Sequence, residues 1–77
     1  MNKVRRKALA RIADKLEELC ADLEELRDEE QEYADNMPEN LQGSEKHEAA
    51  EDAVYNMEDS MNNIEYAIST IREIVEL

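Results

Sequence analysis

The chain is 77 residues long, with 21 acids against 9 bases, a formal net charge of −12, and one residue each of Gly, Pro and Cys. A single glycine excludes sandwiches, barrels and dinucleotide-binding folds, which place glycine at many turns. A single cysteine excludes an internal disulfide framework and a multi-cysteine zinc site.

The stretch Met1–Lys7 is basic, but no apolar run of secretory or membrane-spanning length follows it. Arg11, Asp14, Lys15, Glu17 and Glu18 interrupt Leu9, Ile12, Leu16 and Leu19. With one free thiol, this leads to the expectation of a cytoplasmic protein. From Leu9 the first segment runs Leu9, Ile12, Leu16, Leu19, Leu23, Leu26, Glu30 and Tyr33, steps of three and four that define a heptad seam. Pro38 and Gly43 then break the pattern between Asn36 and Ser44, with Ser44 suited to cap a second helix and Glu45 and Glu48 near its positive end. The second segment repeats the device with His47, Ala50, Val54, Met57, Met61, Ile64, Ile68, Ile71 and Val75.

The fold class expected is therefore all-α. One domain spans residues 1–77, with a helix over 2–35, a loop over 36–44 and a helix over 44–76. Folding back near the middle pairs Leu9 with Ile71, Ile12 with Ile68, Leu16 with Ile64 and Leu19 with Met61. It also pairs Leu23 with Met57, Leu26 with Val54, Glu30 with Ala50 and Tyr33 with His47, and every pair of numbers sums to 80. This is an antiparallel, coiled-coil-like helical hairpin. A second heptad stripe of Ala13 and Cys20 on one helix, and Ala53, Ser60, Ala67 and Ile74 on the other, predicts a homo-oligomer, most simply two hairpins forming a four-helix bundle.

Charge is polarised. Residues 1–16 carry six bases and one acid, whereas residues 17–35 carry ten acids and only Arg27 as a base. The acidic face of Glu17, Glu18, Asp22, Glu24, Glu25, Asp28, Glu29 and Glu32 has two readings. It is a solvated face that gives solubility and selects register in an antiparallel assembly, or a surface for a basic host protein as partner, with the carboxylates standing in for nucleic-acid phosphates. A chain of this net charge does not itself bind DNA or RNA. Tyr55, Asp59, Asn62 and Tyr66 lie off the seam on nearly one helix face and form a second candidate contact patch.

His47, with Glu48, Glu51 and Asp52, is the only candidate metal cluster, and packing of His47 on Tyr33 is the better reading. No Glu-x-x-His pair is present for a di-metal bundle site. Glu30 is expected to reach solvent beside small Ala50. Without a P-loop or a Ser/His/Asp set, no metal, cofactor or catalytic residue is expected.

The run from Asp35 to Glu45 reads Asp-Asn-Met-Pro-Glu-Asn-Leu-Gln-Gly-Ser-Glu, preceded by Arg-Asp-Glu-Glu-Gln-Glu-Tyr at 27–33. It resembles a group of short phage- and prophage-associated helical-hairpin proteins of Gram-positive bacteria. The resemblance covers about 20 residues closely and implies a phage accessory role, with no catalytic residues to carry over. By analogy of charge and size, that role resembles anti-CRISPR or anti-restriction inhibition. The expected function is a non-enzymatic protein–protein interaction module. The alternative is a structural protein that assembles only with itself.

Overall fold

The computed structural model describes residues 1–77 and contains two helices and one tight connection. Helix α1 spans Lys3–Asp35 and helix α2 spans Glu45–Glu76, with no strand. The Cα envelope measures 60 × 14 × 12 Å, the outline of a single hairpin rod.

Both helix starts are capped by side chains. The Asn2 side chain accepts a hydrogen bond from the Arg5 N–H at 2.8 Å. Ser44 Oγ accepts one from the His47 N–H at 3.2 Å, as its place before the second apolar run predicts. The connection contains a short 3-10 turn at Glu39–Leu41, which Pro38 precedes in an extended conformation. Gly43 has φ +82°, a conformation side-chain-bearing residues rarely adopt, which explains the only glycine in the chain. Gln42 ties the connection down: its Nε2 donates to the Met37 carbonyl at 2.9 Å and to the Ala34 carbonyl at 3.5 Å. Nothing in the apolar pattern points to Gln42, although the C-terminal carbonyls of α1 need donors.

The axial alignment of the hairpin is the expected one. Cys20 Sγ lies 3.9 Å from the Met61 carbonyl, a pair summing to 81 rather than 80. At the open end Arg6 Nη1 donates to the Val75 carbonyl at 3.4 Å.

The rotation of α1 is not the expected one. Its buried residues are Ala13, Cys20 and Ala34, while Ile12, Leu19, Leu26 and Tyr33 are 49%, 59%, 56% and 45% exposed. The proposed layers Ile12–Ile68, Leu19–Met61, Leu26–Val54 and Tyr33–His47 therefore do not form the core. At 100° per residue, α1 is turned so that 13, 20, 27 and 34 take the seam positions assigned to 12, 19, 26 and 33. Helix α2 keeps its assigned face, burying Ala50, Val54, Met61 and Ile68. The physical reason is complementarity of size. Ala13, Cys20 and Ala34 let α1 lie close against the larger Val54, Met61 and Ile68, whereas a leucine stripe holds two helices further apart. Arg27 takes the fourth seam position by leaning its stem on the helix and carrying its guanidinium out to Asp28 and Glu58.

It follows that Ala13 and Cys20, assigned to self-association, are enclosed within the hairpin at 1% and 7% exposure. They present nothing to a second molecule. Of the other residues in that set, Ala53, Ala67 and Ile74 are half-buried and Ser60 is exposed.

Candidate interaction surfaces

The rotation of α1 divides the rod into unlike long faces. Around α1 the order is the seam stripe (13, 20, 27, 34), then Leu9, Leu16, Leu23 and Glu30, then Ile12, Leu19, Leu26 and Tyr33. Around α2 the order is Val54, Met61 and Ile68, then Met57, Ile64 and Ile71, then Ala53, Ser60, Ala67 and Ile74. In an antiparallel pair, equivalent rotations bring equivalent stripes to the same side of the hairpin. Ile12, Leu19 and Leu26 therefore share one face with Ala53, Ala67 and Ile74. Half-buried Leu9, Leu16, Leu23, Met57, Ile64 and Ile71 form its floor.

The opposite face is polar and carries the ion pairs that cross between helices. Arg72 meets Glu17 and, at 3.5 Å, Asp14. Arg27 contacts Asp28 at 2.8 Å, Glu58 at 3.4 Å and Glu24 at 3.8 Å. The hydrogen bond to Asp28 raises the Arg27 guanidinium, and the one to Glu17 raises that of Arg72, further above their already high range. These pairs are solvent-exposed, so their worth is registration of the helices more than stability. Between them an open groove of about 380 Å³ is lined by Cys20, Glu24, Glu65, Ile68 and Arg72. Burial first, then the Glu65 and Glu24 charges, pushes the Cys20 thiol above its ordinary value and keeps it protonated.

All eight residues of the expected acidic face are exposed. The structure sorts them into two groups. Glu17, Glu24 and Asp28 are engaged by Arg72 or Arg27. Glu18, Asp22, Glu25, Glu29 and Glu32 have no internal cation. Their spacing of three and four puts all five on one stripe, on the side of α1 turned away from α2. The loop adds to this charge, because folding back brings the start of α2 alongside. The loop half of the rod, residues 21–60, holds fifteen acids and two bases, a net −13. The open half, residues 1–20 and 61–77, holds seven bases and six acids, a net +1.

Tyr55 and Tyr66 are 69% and 75% exposed, and Asp59 and Asn62 between them are exposed as well. The four form one stripe along α2, as their spacing predicts, on a different helix from the five free acids.

His47 does not pack in a seam with Tyr33 in the way expected. Its Nδ1 lies 3.2 Å from the Gly43 N–H and 2.8 Å from Glu51 Oε1. The two contacts compete for one nitrogen, which accepts from Gly43 only without a proton and donates to Glu51 only with one. Tyr33 instead lines an open groove of about 480 Å³ with Met37, Pro38, Leu41 and Lys46 at the loop. Glu30 is half-buried beside the seam, near the buried cluster of Ala34, Met37 and Ala50. No three His, Cys, Asp or Glu side chains converge as a ligand set.

Neither helix is long and apolar enough to cross a membrane. The fold and its surfaces define an all-helical antiparallel hairpin with one apolar face and one strongly acidic end. Compared with family models, curated proteins and solved structures, the chain finds no significant match.

Proposed function

We propose that this chain is a non-enzymatic protein-binding module whose acidic loop half docks into a basic, nucleic-acid-binding surface of another protein. The observation that carries this reading is charge density. Fifteen acids lie along half of a 60 Å rod. That is about one carboxylate per 2 Å, close to the one charge per ~1.7 Å of duplex DNA. Folding back is what produces it: α1 alone reaches only about one per 3 Å over residues 17–35. Binding at such a surface is electrostatically steered and weakens with salt. The resemblance of the loop to phage-associated proteins supports a host nucleic-acid enzyme as the target, in the manner of an anti-CRISPR or anti-restriction inhibitor.

The test neutralises the unpaired stripe with Glu18→Gln, Asp22→Asn, Glu25→Gln, Glu29→Gln and Glu32→Gln together. None of these five makes an internal pair, so helix content is retained. Capture from a bacterial lysate should yield a basic protein that duplex DNA displaces from the wild-type chain and that the five-fold variant does not retain. Equal retention by the variant rejects the acidic-surface mechanism.

A second reading, self-assembly, is favoured by a separate observation. Ile12, Leu19 and Leu26 lie at heptad spacing along one face and are each about half exposed or more. A rod with such a stripe buries it against another helix pair in known bundle geometries.

A further inference from the structure

The apolar face runs nearly the whole rod, and three properties of the chain identify what covers it and in which direction. The first is its size. The apolar residues of α1 on this face and its floor run from Leu9 to Tyr33, about 36 Å at 1.5 Å per residue. Over a rod 14 Å wide this gives a footprint of about 500 Å² per protomer and about 1,000 Å² for two, the threshold of a specific interface.

The second is charge. Two hairpins stacked in the same direction set a half-rod of −13 against another of −13, whereas stacking them end for end sets −13 against +1. Like-charge juxtaposition of that scale is costly and selects direction.

The third is side-chain volume. The outer face of α2 is small near the loop (Ala53) and large near the open end (Ile74, with Ile71 beside it). End-for-end stacking places large against small along its length. On α1 the same stacking sets Ile12 against Leu26 and brings Tyr33 to Arg5, which continues the stripe one heptad before Ile12.

We propose that a second copy of this chain covers the face, as an antiparallel dimer of hairpins whose two-fold axis passes beside Leu19. In this arrangement α1 lies on α1 and α2 on α2, Leu19 meets its own counterpart, and the two loops project from opposite ends. Both acidic stripes, on the outer sides of α1, stay open. The inference rests on the self-assembly reading and adds to it the face, the direction and the axis.

Sedimentation equilibrium and a spin-label distance separate the two. A nitroxide at Asn40, introduced as Asn40→Cys in a Cys20→Ala background, marks the loop tip. The chain should sediment as a dimer, and the label pair should be separated by roughly 50–60 Å, twice the run of about 19 residues from Leu19 to the loop at 1.5 Å each. A dimer with labels within about 25 Å overturns the antiparallel arrangement and leaves self-assembly standing. A monomer at high micromolar concentration overturns both. Leu19→Lys places two lysines face to face at the axis and should weaken dimerisation by at least ~100-fold. Because Leu19 is 59% exposed in the protomer, circular dichroism should show its helices intact, and an unchanged dimer constant in this variant also overturns the proposal.

Discussion

Replacing Ile12 and Ile68 separately by alanine tests the rotation of α1, because a seam that paired them would make the two losses alike. Ile→Ala removes three carbons, worth about 2.4 kcal/mol when fully buried at ~0.8 kcal/mol each. Ile68 is 7% exposed and Ile12 is 49% exposed. Scaling by burial gives about 2.2 kcal/mol for Ile68→Ala, rising to about 3 with the cavity left behind, and about 1.2 kcal/mol for Ile12→Ala. Urea unfolding followed by helix ellipticity, at a concentration where the chain is monomeric, reads the difference. With a slope near 1 kcal/mol per molar urea for so small a chain, the Ile68 variant should unfold at roughly 1–2 M lower urea than the Ile12 variant. The Ile12 penalty should grow with protein concentration as the apolar face becomes covered, and the Ile68 penalty should not. Equal losses at low concentration would refute the rotated seam.

Three other outcomes follow from the same geometry. Ala13→Leu, at a position 1% exposed, should lose about 1–3 kcal/mol by overpacking, in the same urea assay. Gly43→Ala meets no atom within 4 Å, so its cost is the strained φ alone, about 1 kcal/mol, and Gly43→Asn should recover part of it. Because the folded state raises the Cys20 pKa, the thiol's contribution to stability is complete below the ordinary thiol range and declines as pH rises through it. A Cys20→Ala variant should lack that alkaline component when unfolding is compared across pH, and alkylation of Cys20 in the native chain should be slow until denaturant opens the hairpin.

The hairpin was legible in the sequence where a single residue type settles the geometry. Pro38 and Gly43 stop the helices, Ser44 caps α2, and the face of α2 has no rival, since the large stripes of Val54, Met61 and Ile68 and of Met57, Ile64 and Ile71 lie side by side. Helix α1 offers two candidate seams that share Leu9, Leu16 and Leu23. One adds Ile12, Leu19, Leu26 and Tyr33, and the other adds Ala13, Cys20, Arg27 and Ala34. Hydropathy ranks the first higher, but two helices alone pack closest on the second, and Arg27 conceals it by looking like a surface residue. Small residues at 13, 20 and 34 are the available signal, but spacing alone puts Ala13 and Cys20 equally well on an outer stripe and gives Ala34 no place in either. The acidic surface was legible as composition, but the division into arginine-paired and free carboxylates was not. Glu58 lies 31 residues from Arg27, and Arg72 lies 55 from Glu17.

The most direct test of the rotated hairpin is a nuclear Overhauser spectrum of the monomer. The account predicts cross-peaks from the Ala34 methyl to the Ala50 methyl and from the Cys20 β-protons to Met61, with the Leu19 and Leu26 methyls free of contacts to Met61 and Val54. Cross-peaks joining Leu19 to Met61 and Leu26 to Val54, with Ala34 and Cys20 open to a paramagnetic solvent probe, would contradict it.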